Sequence, residues 1–207
     1  MAQQTPTEVI AAQVREFRDA RKMSAQALAD RCAELGMPDL KRQAITNLEN
    51  SRRGMVTVDE LLVLAEALDV PPARLFIPLD GRTDLAVTPE VTMSSYRALF
   101  WVSGENVPPL PAERLERWRE AVGPLDTYRT FRDTFRAAAK AETRGDVEAF
   151  RGQLSALAKV IEWGMLNRNI TPPALPAEWV ATMRDEGWLD RADEVPVQAG
   201  DGNDGQS

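Results

Sequence analysis

The chain has 207 residues, a formal net charge of −7, a single cysteine and no histidine. Without histidine there is no Ser-His-Asp triad, no His-ligated zinc and no HExxH helix, and one cysteine cannot close an internal disulfide. The length and apolar content suit one ordinary domain or two small ones. The opening "MAQQTPTEVIAAQ" lacks a basic region followed by an apolar run, and no stretch approaches membrane-spanning length. A soluble, cytoplasmic protein with no metal and no cofactor is therefore expected. Cys32 falls inside a helical pattern and reads as a small core residue.

Residues 1–78 are close to neutral, and much of the acidic excess falls after residue 177. The first segment reads as helices. Ile10, Val14 and Phe17 share one face of a helix over roughly 7–22. Ser24 suits the N-cap of a second helix, with Leu28, Ala29 and Cys32 inward. Gly36 stops that helix, Pro38 keeps the chain extended, and Asp39 is placed to cap a third helix running to about residue 50. Thr57 followed by Glu60 is a capping box that opens a fourth helix, with Leu61, Leu64, Ala65 and Leu68 on its apolar face. "VPP" at 70–72 ends it, and a short fifth helix passes through Leu75 and Phe76.

The third of these helices is unusual. In "KRQAITNLENSRRG", residues 41–54, Ile45 and Leu48 are the only large apolar side chains. They supply a narrow anchor to the core and leave a polar face free. A helix, a turn and a polar helix held by two apolar anchors is the layout of a helix-turn-helix, whose second helix enters the major groove.

"SAQALADRC", then "RQAITNLENSRRG", then "VTVDELLVLAEALDVPPARLF" resemble the Cro/phage-repressor (Xre) class of helix-turn-helix regulators. They are closest to an actinobacterial subset in which the turn is lengthened, as "AELGMPDLKRQ" is here, and "LEN" leads into an Arg-Arg turn. The resemblance covers residues 8–78 and extends weakly through "MSSYRALFWVSGENVPP". It implies a five-helix, lambda-repressor-like domain that binds double-stranded DNA. Arg42, Gln43 and Asn47 stand at places that resemble the family's base-reading positions. The chemistry agrees: Arg bridges O6 and N7 of guanine, while Gln or Asn bridges N6 and N7 of adenine. Thr46 can touch a thymine methyl or a phosphate. Lys41, Arg52 and Arg53 flank the helix and suit phosphates, which position a domain without reading sequence. The resemblance gives Glu49 a structural role. The place where many members carry a phosphate-touching or bracing Gln holds Ala25 here.

Residues 79–92 have no clear period, contain Gly and Pro, and read as a linker. A helical region is expected over 93–190. It begins with a short helix at 93–102, breaks at "GENVPPLP", and resumes at 113–122 with Leu115, Trp118 and Val122 on one face. Leu125, Tyr128, Phe131, Phe135 and Ala138 mark a long amphipathic helix. After Gly145, Phe150, Leu154, Leu157 and Ile161 mark its partner, making an αα-hairpin. These stripes read as core, buried either within the chain or between chains; few elements remain to cover them within one chain, so a dimer with much of its contact from residues 113–168 is expected. A basic row on the opposite face, Arg129, Arg132, Arg136 and Lys140, reads as solvated surface. A last short helix spans 179–188, and 191–207 read as a disordered tail.

The fold class expected is all-α, with an N-terminal helix-turn-helix domain and a C-terminal helical domain. The function expected is that of a sequence-specific transcriptional regulator, not an enzyme. It is read as a repressor that binds two half-sites as a homodimer. Two other readings stay open: an antitoxin or other protein-interaction module, and an effector-binding sensor whose C-terminal helices hold a small molecule.

Overall fold

The computed structural model describes residues 2–105 and 109–198. The chain divides into two units, 1–108 and 109–207.

The first unit begins with a short strand, β1 (Ala2–Gln4), and continues through α1 (Pro6–Ala20), α2 (Ala25–Glu34), α3 (Arg42–Glu49), α4 (Val58–Ala67) and α5 (Ala73–Phe76). Local signals set most of the boundaries. Thr5 with Glu8 and Thr57 with Glu60 form capping boxes at α1 and α4, and the Ser24 hydroxyl accepts from the Ala27 amide at the start of α2. Ile10, Val14, Leu28, Cys32, Leu40, Ile45, Leu48, Leu64, Leu68 and Leu75 are buried together in one core. Cys32 is a packing residue there, and burial pushes its thiol up to about 11.

Residues 79–92 are not a linker. They hold most of a hairpin, β2 (Thr83–Thr88) and β3 (Val91–Ser94), which runs into α6 (Ser95–Val102). β2 pairs in parallel with β1, Ala2 opposite Thr83 and Gln4 opposite Leu85, and antiparallel with β3. Among the described residues this three-stranded sheet is the β addition to a mostly helical chain. Asp80 organises its entry: its carboxylate accepts from the amides of Arg82 and Thr83 and from the Thr83 hydroxyl. The Thr83 hydroxyl above all, with the two amides, holds that carboxyl at about 2. Val9 of α1, Ile77, Leu85 of β2 and Ala98 of α6 form a second small core. The expected domain boundary at 78 therefore moves to about 108, and the helix expected at the start of a C-terminal domain belongs to the first unit.

The second unit is a hairpin of long helices, α7 (Ala112–Thr143) and α8 (Val147–Arg168), followed by α9 (Ala177–Asp185) and a 3-10 turn at Ala192–Glu194. The two helices expected on either side of Gly123 and Pro124 are one continuous α7. Proline removes one helical donor, which normally breaks or kinks a helix. Here the side chain of Arg168 donates to the orphaned Glu120 carbonyl (3.5 Å). The segment is also held where α7 meets α8: Thr127 lies against Gly164 so closely that an added Cβ would come within 3.0 Å of its methyl. Gly145, with φ near +68°, makes the turn between the helices, and Asp146 caps α8 by accepting from the Ala149 amide.

The middle of the aromatic stripe is covered within the chain. Trp179 of α9 packs on Phe135 (centroids 5.0 Å apart) and Phe150 (5.5 Å), and its indole N–H donates to Glu142 (2.9 Å). Phe131, Leu154, Leu157 and Ile161 are buried, and Phe135 and Phe150 are half-buried against the same core. Leu125 and Tyr128 are exposed. Of the two ways of burying this stripe, within the chain or between two copies, Phe131 and Phe135 take the first. Residues 191–198 are not a disordered tail: Ala192 and Val195 are buried, and Val197 bridges to Leu175. The rest of that expected tail, 199–207, lies outside the described residues.

Candidate nucleic-acid interface

Ile45 and Leu48 are fully buried and fix the orientation of α3 in the first unit. α2 and α3 are joined by residues 35–41, a longer connection than the tightest turns of this type. Its geometry is nonetheless determined. Gly36 takes a left-handed conformation (φ near +90°), the Met37 amide donates to the Cys32 carbonyl (2.9 Å), and Leu40 is buried beneath the turn. Because Leu40 is drawn into the core, α3 begins two residues later than Asp39 would place it, and Lys41 is its N-cap.

Lys41 makes no side-chain capping bond, and the first turn of α3 carries no acidic residue. α1, α2 and α4 are all capped by a side chain, and α1 and α4 bear carboxylates in the first turn. The amides and the positive dipole end of α3 thus stay open, next to the exposed cations Lys41 and Arg42.

Arg42 and Gln43 are exposed, and Thr46 and Asn47 are partly exposed. The Gln43 side-chain amide donates to the Asn47 side-chain carbonyl (3.0 Å), one helical turn away. This bond aligns the two amides along the outer face. It leaves the Gln43 carbonyl as an acceptor and the Asn47 amino group as a donor.

The two arginines after α3 part company. Arg52 is exposed and makes no ion pair among the described residues. Arg53 is half-buried, and its guanidinium donates to Glu60 (2.5 Å), the carboxylate of the α4 capping box. Burial pushes the Glu60 carboxyl up, but the Thr57 amide and Arg53 outweigh it, and the net shift is downward. Arg53 therefore ties the turn to α4, and Arg52 is the better placed of the two for a phosphate. Glu49 faces inward. Arg18 of α1 binds both its oxygens (2.6 and 3.0 Å) and also donates to the Met23 carbonyl. That clamp bolts α3 to α1, and nothing in the local pattern around either residue announced it.

Buried Ile45 and Leu48, the α2–α3 connection and the packing on α1 and α4 define a helix-turn-helix domain in the first unit. Residues 9–75 match the sequence model of a family described as a helix-turn-helix domain. No curated protein and no solved structure is detectably similar to the chain. Among the described residues, no helix is long and apolar enough to cross a membrane.

Proposed function

We propose that the protein is a sequence-specific transcriptional regulator that lays α3 in the major groove of double-stranded DNA. The observation that carries this reading is the composition of the outer face of α3. Arg42, Gln43 and Asn47 stand out from the core anchors, on a helix whose uncapped N-terminus begins at Lys41 and whose C-terminal end is followed by Arg52. Arg42, Gln43 and Asn47 read base edges, Thr46 makes a supporting contact, and Lys41 and Arg52 hold phosphates. The reading calls for no catalytic step, and the protein acts as a repressor by occupying its operator. It binds two half-sites as a homodimer, since one helix-turn-helix spans only part of a helical turn of duplex.

Selection of bound sites from random duplex DNA, followed by footprinting, tests the proposal. Enrichment of one motif with protected two-fold-related half-sites is the expected result. A pool that stays random through repeated rounds would refute sequence-specific binding.

A further inference from the structure

A cavity of about 560 Å³ opens between α7 and α8 in the second unit, within the size range of small-molecule sites. Arg119, Lys159 and Arg168 line it, and Trp163, 47% exposed, forms an aromatic wall. None of these three cations has an ion-pair partner among the described residues. Other arginines of the unit do: Arg117 with Glu113, Arg151 with Glu186, and Arg184 with Asp193. The cavity holds one carboxylate, Asp126, and Arg129 already engages it at 2.5 Å. The hydroxyls of Thr127 and Thr130 donate to carbonyls of their own helix, so the donors left for a ligand are the cations.

Sequence features far apart in the chain hold this arrangement. At Gly123 an added Cβ would fall on the guanidinium of Arg168, so only glycine lets that side chain lie on the α7 backbone. Pro124 frees the Glu120 carbonyl that Arg168 bonds, and the Arg168 guanidinium sits over the Trp163 ring at 5.3 Å. The cation is thus held in place before any ligand arrives.

We propose that this cavity binds a small organic anion bearing a planar aromatic ring, its acidic group met by the three cations and its ring lying against Trp163. The site belongs to the second unit and stands whether or not the first unit binds DNA. Calorimetric titration of the full-length chain with 1-naphthoate, against the neutral analogue 1-naphthamide, tests it. The carboxylate should bind about tenfold tighter than the amide, as expected for charge-assisted hydrogen bonds. Lys159→Met and Arg119→Met change exposed side chains, and each should weaken naphthoate by about tenfold while leaving naphthamide unchanged. Trp163→Ala should weaken both probes, and circular dichroism should confirm that each variant keeps its helices. Failure of naphthoate to bind, equal binding of the two probes, or naphthoate affinity untouched by both cation variants would overturn the proposal. Displacement of naphthoate by a single-stranded oligonucleotide would also overturn it and reassign the cations to nucleic acid.

Discussion

Gln43 and Asn47 allow the DNA reading to be tested with little disturbance of the fold. Both lie on the outer side of α3, and neither contributes to the core around Ile45 and Leu48. Their mutual hydrogen bond is a partly exposed pair one helical turn apart, worth about 0.2–0.5 kcal/mol to the helix. Replacing either residue by Ala should therefore move the unfolding midpoint by only a degree or two, on the order of what ~0.5 kcal/mol does in a small domain. A bidentate amide-to-adenine contact discriminates by about 1–3 kcal/mol, so affinity for the preferred site should fall roughly 5- to 150-fold. The two losses should not add. Gln43→Ala removes its own contact and also releases the Asn47 side chain, so the double variant should bind more tightly than the product of the single effects predicts.

Fluorescence anisotropy with the selected duplex and with duplexes changed at one base pair reads both affinity and discrimination. Thermal unfolding of the same samples reads stability. Two unchanged affinities beside intact melting curves would remove these residues from base reading. A uniform loss over all duplexes would make them backbone contacts.

Three further expectations separate functional from structural roles. Arg52→Ala should weaken binding to every duplex alike and reduce the slope of log affinity against log salt by about one, whereas Arg53→Ala should leave that slope unchanged and lower the melting temperature by releasing Glu60. Glu49→Ala should cost about 3 kcal/mol in denaturant unfolding, because the pair with Arg18 is only 8% and 13% exposed and the guanidinium would be left without its main partner. The carboxyls of Glu8 and Glu60 are held below the ordinary range, Glu8 by the Thr5 amide and hydroxyl, and Glu60 by the balance described above. Their contribution is therefore complete above the unfolded value near 4.5 and is lost as pH falls through the lower folded values. The first unit should melt at a constant temperature from pH 7 to about 5 and at falling temperatures below, with a shallower fall in Glu60→Gln.

The parts of the fold that were legible are those specified within one helical turn. Ser24, Thr57 with Glu60, and the Ile45–Leu48 spacing announce themselves locally, and the helices they open or anchor are present. What escaped depends on partners distant in the chain. β2 gains a parallel neighbour from residues 2–4, and its buried Leu85 and Ala86 are adjacent, so no alternating pattern marks it. Pro124 obeys the rule that proline frees a carbonyl. The helix nonetheless runs on, and Arg168, on the other arm of the hairpin, reaches that carbonyl. The spacing of Phe131, Phe135 and Phe150 marks an apolar stripe, but Trp179 lies beyond "TPPALP", where periodicity carries no information about docking. At the site, the outward direction of Arg42, Gln43 and Asn47 followed from the positions of the two anchors. The pairing of Arg53 was within reach, since the capping box already placed Glu60 at the start of the helix that follows the Arg-Arg turn.

An acidic protein can hold a polyanion if the charges near the contact are arranged for it. Salt screens exposed charges beyond about 10 Å at 0.1 M, so the local set around α3 outweighs the net charge of −7. Two nearby carboxylates are turned away from solvent and neutralised: Arg18 holds Glu49, and Arg53 holds Glu60. Asp39, exposed ahead of the helix, opposes the remaining set of Lys41, Arg42 and Arg52, none of which has an ion-pair partner among the described residues. The pairs that fasten α3 to α1 and its following turn to α4 thus also remove negative charge from the outer surface. Structural and electrostatic roles are combined in the same two ion pairs, which is why a neutral domain within an acidic chain can present a locally positive helix.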